Sequence, residues 1–343
     1  MWKHWKMRLM AMAMVFSLAG GLAVAGSNSE DNDNDNDDGG VQVDEKLPDY
    51  EASSGVSGSI QSTGSDSMNN LMALWAESFQ RHYPNVQIEI DGRGSSTAPP
   101  ALTEGTAQFG PMSRTMRSSE VDSFEERYGY PPTLLRTGID LLAVYVHKDN
   151  PIADKGLTLR QLDAIFSSTR RGGGEDDIRT WGDVGLTGEW ANRSISLYGR
   201  NSASGTYGFF RDVALFGGDY KDAVNEQPGS SSVVQGVASD RYAIGYSGIG
   251  YKTADVRAVP IAEDAESDFV PVKAEHAYDG TYPLFRFLYV YINHRPGSQL
   301  DPVRREFVRY VFSKQGQQDV LRDGYYPLPA PIAEEELGKV GIR

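Results

Sequence analysis

Four short segments of the sequence combine small hydroxyl residues, glycines and arginines. They are TGSDS at 63–67, GRGSST at 92–97, GPMSRT at 110–115 and GRNSASGT at 199–206. Hydroxyl groups and a guanidinium donate hydrogen bonds to an anion, and the N–H groups at a helix N-terminus do the same. One serine before a helix is more often a cap than a ligand. Four such segments, each between a strand and a helix, predict a binding site for an oxyanion.

The elements around these segments alternate between strand and helix, which is typical of an α/β fold. Val86–Asp91 has the alternating pattern of a strand, and two long apolar strands are predicted near 138–147 and 287–293. Ligands of open α/β sheets bind at the carboxyl ends of the strands. The four segments are therefore expected to meet at such an edge.

Helices are predicted where apolar residues recur at helical spacing. One ends before Pro84, a second covers 157–166 with Thr158 as its N-cap, and a third runs over 301–324. Their apolar faces are expected to pack against the sheet and hold the segments in place.

Composition excludes several classes of function. The chain has 343 residues, no cysteine and a formal net charge of −14. Without cysteine there is no disulfide, no thiol catalysis, no zinc–thiolate site and no lipid attached through an N-terminal cysteine. The acidic balance argues against a nucleic-acid partner.

The N-terminal residues 1–25 have the pattern of a secretory signal peptide. Lys3, Lys6 and Arg8 precede an apolar run over 9–24, and an A-x-A site at 23–25 precedes Gly26. This pattern predicts cleavage and export to the periplasm without a lipid anchor. A membrane anchor is the weaker interpretation, because the apolar run is short and interrupted by glycines.

An acidic stretch follows the signal peptide and predicts a disordered linker over 26–56, since like charges repel and nothing there is expected to build a core. Part of it has the spacing of a calcium loop. The residues concerned are Asn34, Asn36, Asp38, Gly39 and Glu45. The first position is asparagine and no helices flank the loop, so a solvated linker is the favoured interpretation.

From residue 57 to 328 the chain resembles the periplasmic phosphate-binding proteins of Pst-type ABC transporters. The resemblance is carried by GRGSSTAPPALTEGTAQFGPMSRTM, GRNSASGTYGFF, YAIGYSGIGY and YPLFRFLYVYIN, in this order. It implies an α/β fold of the type II periplasmic binding protein class, with two lobes that each have a central mixed sheet flanked by helices. A hinge of two chain crossings is expected to join lobe one (57–141 plus 287–343) to lobe two (142–286).

The resemblance also implies a phosphate site between the lobes and no cofactor or metal. Arg200 supplies a planar fork for two phosphate oxygens. The implied phosphate-binding residues are Ser65, Asp66, Ser67, Ser95, Ser96, Ser113, Arg114, Arg200, Ser204, Gly205 and Thr206. The expected partners are inorganic phosphate and the membrane permease subunits of the transporter, and the protein is expected to be a monomer.

Two positions depart from the pattern of the family. Ser113 stands where well-known members have an aspartate that accepts a proton from phosphate, and Ser202 stands where an aspartate pairs with the arginine. Asp66 is the acid that remains within the four segments, and we predict that it accepts the proton of hydrogen phosphate. Sulfate has no such proton, so an acceptor facing it would be left unpaired. The alternative is that Asp66 only caps the helix that follows it.

Other functions stay open at this point. The site could take another oxyanion, such as sulfate, molybdate or tungstate. A phosphatase-like enzyme is less favoured, because the G-x-S-x-G, H-E-x-x-H and P-loop motifs are missing and the five histidines lack metal spacing. A surface adhesin on the same fold would suit the acidic linker, but no other feature favours it.

Overall fold

The computed structural model describes residues 40–174 and 176–342. The strands are β1 (Gly58–Thr63), β2 (Val86–Asp91), β3 (Phe109–Met112), β4 (Thr133–His147), β5 (Leu157–Thr158), β6 (Ser196–Arg200), β7 (Val224–Gln227), β8 (Ala243–Gly248), β9 (Val256–Ala258), β10 (Ile261–Ala262) and β11 (Phe285–Ile292). The α-helices are α1 (Asn69–His82), α2 (Ala98–Glu104), α3 (Ser118–Tyr128), α4 (Leu159–Phe166), α5 (Gly205–Val213), α6 (Ser230–Ser239), α7 (Ala274–Tyr278), α8 (Pro302–Val311), α9 (Lys314–Arg322) and α10 (Ala330–Lys339). Within this part of the chain, no helix combines the length and apolar character needed to cross a membrane.

A long mixed sheet organises the molecule, with strand order β2-β1-β3-β11-β4-β8-β6-β7 and β9 beside β4. The strands β1, β2 and β3 are parallel to one another, and so are β6, β7 and β8. Between these groups, β11 and β4 are antiparallel to their neighbours. The fold is therefore the mixed α/β fold that the sequence predicts, with two groups of parallel strands joined through β4 and β11.

The strand β4 belongs to both halves of the sheet. Its residues Thr133–Leu141 pair with β11, whereas Leu142–Val146 pair with β8. Most of β4 is buried, as its apolar sequence predicts. The partner changes after Leu141, and the division into lobes at this residue stays a prediction. Along its whole length β11 pairs with β3 or with the first part of β4, so the return crossing precedes Phe285.

Local patterns predict several elements correctly. The strand β2 has the predicted bounds, and α1 ends at His82, just before Pro84. Thr158 caps α4, because its Oγ1 accepts a hydrogen bond from Gln161 N at 3.1 Å. The Gln161 side chain accepts from Thr158 N at 2.9 Å in return, which completes a capping box.

The prediction of one helix over 301–324 is wrong. The chain forms α8 and α9 with a break at Phe312 and Ser313. Ser313 Oγ accepts a hydrogen bond from Gly316 N at 3.2 Å and so caps the second helix. Apolar spacing alone does not reveal this restart, because both helices bury apolar residues.

The predicted linker over 26–56 is too long. Leu47 and Tyr50 are 3% and 9% exposed and belong to the main core. Pro48 O accepts from Lys314 N at 2.9 Å, and the Tyr50 hydroxyl lies 2.8 Å from that of Tyr83. Residues 41–56 therefore pack against the folded unit. The signal peptide and the first four candidate calcium ligands lie outside the described residues.

Candidate anion-binding site

The four predicted segments meet because each follows the carboxyl end of a parallel strand. The strands β1, β2 and β3 end in one half of the sheet, and β6 ends in the other. The segments from the two halves touch directly, since Ser96 N donates to Ala203 O at 3.1 Å. Gly94, with φ of 130°, permits this approach, because a Cβ there would lie 2.5 Å from Ala203 O.

Five buried hydroxyl groups form the centre of the site. Ser65 Oγ donates to Ser113 Oγ at 3.1 Å, and Ser113 Oγ lies 3.3 Å from Ser95 Oγ. Across the two halves, Thr206 Oγ1 lies 2.9 Å from Ser67 Oγ and 3.4 Å from Ser113 Oγ. A hydroxyl rotates to suit its partner, so this cluster can present several donors to one anion.

Arg200 lies against this cluster and is only 1% exposed. Its Nη1 donates to Ser230 Oγ at 2.8 Å, and its Nη2 donates to Pro228 O at 3.0 Å. Its Nε has no hydrogen-bond partner among the described residues. Burial lowers the pKa of Arg200, whereas the charge of Asp66 opposes that change. A buried cation with an unused N–H group is suited to an anionic ligand.

Asp66 connects the two halves of the molecule. Its Oδ2 accepts from Ser230 N at 2.8 Å and Ser230 Oγ at 2.9 Å, and it lies 3.1 Å from Arg200 Nη1. The alternative that Asp66 caps its own helix is wrong, because Ser65 is the N-cap residue of that 3-10 turn, Asp66–Met68. Asp66 caps α6 of the other half and pairs with the arginine. The resemblance implies an aspartate at position 202 as the partner of the arginine, but in this chain the position is occupied by Ser202, which is exposed.

The N-terminus of α5 forms one wall of the site. Ser204 Oγ accepts from Thr206 N at 3.1 Å and Tyr207 N at 3.4 Å, so Ser204 is a helix cap. Gly205 touches the opposite half. A Cβ at Gly205 would overlap Ser95 Oγ and lie 2.6 Å from Ser113 Oγ.

Ser96 and Arg114 lie at the margin of the cluster. Arg114 donates to both carboxylate oxygens of Glu120 at 2.7 Å, and its Nη2 lies 3.4 Å from Ser96 Oγ. Burial opposes ionisation of Glu120, but the hydrogen bonds from Arg114 lower its pKa overall. Glu120 thus occupies the arginine fork, and a ligand role for Arg114 and Ser96 stays a prediction.

Sequence reasoning missed several residues that complete the site. Ser230 follows β7 and begins α6, which is the same signature as in the four segments, but β7 is polar and was not recognised as a strand. The Tyr251 hydroxyl donates to Asp66 O at 3.0 Å, and the Tyr325 hydroxyl donates to Ser67 O at 2.7 Å. These contacts join residues far apart in sequence, so no local pattern indicates them.

The arrangement suits a small tetrahedral oxyanion. Hydroxyl donors and a buried guanidinium lie between the halves of the sheet and are connected through Ser230 Oγ, and the N-terminus of α5 adds its dipole. The described residues contain no cluster of histidine and acidic side chains that would hold a metal ion.

The chain is similar to known proteins over most of its length. The family model described as a PBP superfamily domain matches residues 50–315. The phosphate-binding protein PstS of Pseudomonas aeruginosa is 55% identical over 300 residues, which cover 88% of this chain and 92% of that protein. PstS of Bacillus subtilis is 27% identical over 277 residues, covering 79% and 81% of the two chains.

The fold is also found among solved structures. An ABC-type phosphate transport receptor from Vibrio cholerae superposes with a TM-score of 0.60 at 22% identity, covering 79% of this chain and all of that one. This likeness concerns the fold, whereas the family model and the sequence relatives concern descent. The chain belongs to the PBP superfamily and, within it, to the family of PstS phosphate-binding proteins.

Proposed function

We propose that this protein captures inorganic phosphate between its two lobes and delivers it to the membrane permease of an ABC importer. The observation that carries the proposal is the buried Arg200, whose Nε has no partner among the described residues. Its contact Ser230 Oγ lies 3.4 Å from Ser67 Oγ, which belongs to the cluster of five hydroxyl groups. Each lobe contributes only part of this donor set, so a bound anion would hold the lobes together. The PstS relatives support phosphate as the anion.

Asp66 is the candidate for selectivity. Its Oδ2 is occupied by Ser230 and Arg200, whereas its Oδ1 accepts no hydrogen bond from the described residues. We propose that Oδ1 accepts the proton of hydrogen phosphate, in place of the aspartate replaced by Ser113. A site that has hydrogen-bond donors but no proton acceptor would also bind sulfate. Another oxyanion is therefore the second candidate ligand.

Calorimetric titration of the mature protein with phosphate, sulfate, arsenate and molybdate tests this function. We expect phosphate and arsenate, which both carry a proton at neutral pH, to bind much more tightly than sulfate or molybdate. Stronger binding of sulfate or molybdate would overturn the assignment of phosphate and favour the second candidate.

We also propose that the protein binds its ligand without changing it, as its relatives are binding proteins. The five central hydroxyls bond to one another, and the carboxylate that accepts from Ser230 Oγ, that of Asp66, is also held by Arg200; we assign it to the ligand and not to activation of a serine nucleophile. Turnover of a chromogenic phosphate ester above background, lost in Arg200→Ala, would contradict this proposal.

The proposed function also implies where the protein acts and in which oligomeric state. We propose that residues 1–25 are removed and that the mature chain acts as a monomer in the periplasm. N-terminal sequencing should give Gly26 as the first residue, and light scattering should give the mass of one chain. Recovery of the uncleaved chain from membranes would contradict the proposed location.

A further inference from the structure

A second buried arginine lies beneath the site, in a segment that the sequence presents as an apolar strand. Arg286 is 3% exposed and follows the first residue of β11. It faces Asp140 of β4, which is fully buried, and the two are register partners on adjacent strands. Arg286 Nη2 lies 2.6 Å from Asp140 Oδ2, and Nε donates to the same oxygen at 2.8 Å.

The third nitrogen of this guanidinium reaches the anion site. Arg286 Nη1 donates to Ser113 O at 3.1 Å and to Thr206 Oγ1 at 3.0 Å. The two acceptors belong to different lobes. The ring of Phe209, from the same helix as Thr206, lies over the guanidinium at 5.3 Å. Asp140 completes the connection, since its Oδ1 accepts from Ile249 N at 3.0 Å.

The contact with Thr206 determines how that hydroxyl can act. A guanidinium has only donors, so Thr206 Oγ1 must accept from Arg286. The hydroxyl proton of Thr206 is then directed away from Arg286, to the side where Ser67 and Ser113 lie. A hydroxyl that has already accepted from a cation is also a stronger donor.

We propose that Arg286 is a positioning residue of the anion site, which fixes Thr206 as a hydrogen-bond donor to the ligand and adds a second buried positive charge behind it. Asp140 holds the guanidinium in the orientation that permits this. Because β4 and β11 are the strands that join the halves of the sheet, the ion pair also links lobe closure to the completion of the site. This inference rests on the proposed function and adds a residue outside the four segments.

A double-mutant cycle tests the inference. The four proteins are the wild type, Thr206→Val, the pair Asp140→Asn with Arg286→Gln, and all three changes together. Replacing both members of the ion pair avoids leaving one buried charge unpaired. Calorimetry with inorganic phosphate gives the dissociation constants, and thermal melts report whether each variant is folded.

We expect the paired replacement to weaken phosphate binding about 10- to 100-fold, the usual effect of a charge-assisted hydrogen bond. In the Thr206→Val background the same replacement should weaken binding clearly less, because its partner hydroxyl is already gone. A purely structural role would give the same factor in both backgrounds, and that result would overturn the inference.

A matched control replaces another buried ion pair that involves β4, with Arg136→Gln and Glu336→Gln. Arg136 donates through Nε to Glu336, and Glu336 is fully buried. This control should lower thermal stability without changing phosphate affinity. An equal loss of affinity in the control would show that any buried ion pair of β4 has this effect, and would also overturn the inference.

If the paired replacement does not fold, Arg286→Lys replaces it. Lysine keeps the charge, but its single nitrogen cannot contact Asp140 and Thr206 in the geometry of a fork, so affinity should still fall. Wild-type affinity in Arg286→Lys would overturn the inference. Failure of the wild-type chain to bind phosphate would overturn the proposed function and this inference with it, whereas normal wild-type binding with unchanged variants overturns the inference alone.

Discussion

The change Gly205→Ala should prevent the two lobes from closing on the ligand. The added Cβ would lie 2.6 Å from Ser113 Oγ, which is 0.8 Å short of the 3.4 Å at which ordinary contact begins. Both Ser113 and Ser95, whose Oγ the new Cβ would overlap, belong to the opposite half of the molecule. The new Cβ would also lie 2.8 Å from Ser95 Cβ, which rotation of the side chain cannot move away, so the halves must part by about 0.6 Å or more to relieve the clash. That shift lengthens the contact of Thr206 with Ser67, now 2.9 Å, to the limit of hydrogen-bond range.

The expected cost follows from the ligand contacts that the shift removes. Loss of two charge-assisted hydrogen bonds, at about 1.5–3 kcal/mol each, amounts to about 3–6 kcal/mol. Phosphate affinity measured by calorimetry should therefore fall about 10²- to 10⁴-fold. The thermal midpoint without ligand should change little, because the clash lies between lobes and not within a core.

Gly208→Ala is the matched control, since it adds the same methyl group three residues later in α5. Its Cβ would lie 3.3 Å from Arg114 Cδ, an atom of a flexible side chain. This variant should bind phosphate nearly as well as the wild type. Wild-type affinity in Gly205→Ala, or an equal loss in both variants, would refute the reasoning about closure.

Four further changes give distinct expectations. Arg200→Lys keeps the charge but loses the fork, so phosphate affinity by calorimetry should fall about 10- to 100-fold; an unchanged value would show that the site lies elsewhere. Asp66→Asn should weaken phosphate binding and reduce the difference in affinity between phosphate and sulfate. An equal loss of affinity for both anions would mean that Asp66 only joins the lobes. Burial raises the pKa of Asp323 to about 7, against 3.8 as its ordinary value, so its contribution to stability is full below about pH 4 and is lost as the pH rises to 7. Asp323→Asn should therefore raise the free energy of unfolding at pH 8 by at most about 4 kcal/mol, at about 1.4 kcal/mol per pKa unit, and denaturant titrations showing no gain at pH 8 over pH 4 would contradict this. Tyr50→Phe removes the hydroxyl that contacts Tyr83 and Glu306 and should lower the free energy of unfolding by about 1–2 kcal/mol; no change in a urea titration would mean that residues 41–56 are only loosely attached.

Elements with strong local patterns could be predicted from the sequence. Three patterns depend on residues only a few positions apart. They are the apolar residues at helical spacing in α1, the alternating apolar and polar residues of β2, and the capping box of Thr158. The four loop segments could also be recognised, because each is rich in glycine and hydroxyl residues and follows a predicted strand. The end of the linker could not be predicted from the sequence. Leu47 and Tyr50 are isolated apolar residues in an acidic stretch, and the residues they contact lie far along the chain.

The chemistry of the site depends on contacts that local spacing does not contain. Asp66 and Ser230 are 164 positions apart, and Arg286 and Thr206 are 80 apart. The alternative role that the sequence allows for Asp66 is a cap of its own helix, whereas in the structure its carboxylate caps α6 of the other half. The local pattern does not mark Arg286 as a site residue, because the strand around it is apolar and its partner Asp140 also lies within an apolar run.

The position of β11 has a consequence for how the protein is made. It is the last strand of the chain, yet it lies between β3 and β4. During synthesis, β3 and β4 therefore emerge long before the strand that joins them, and the edges that pair with β11 stay without a partner until then. Pairing over such sequence separations is slow, so the half that contains β1 to β3 must wait for the C-terminal third of the chain. The newly made chain is therefore expected to pass through a stage that is prone to aggregation, and to complete its binding site only when β11 inserts.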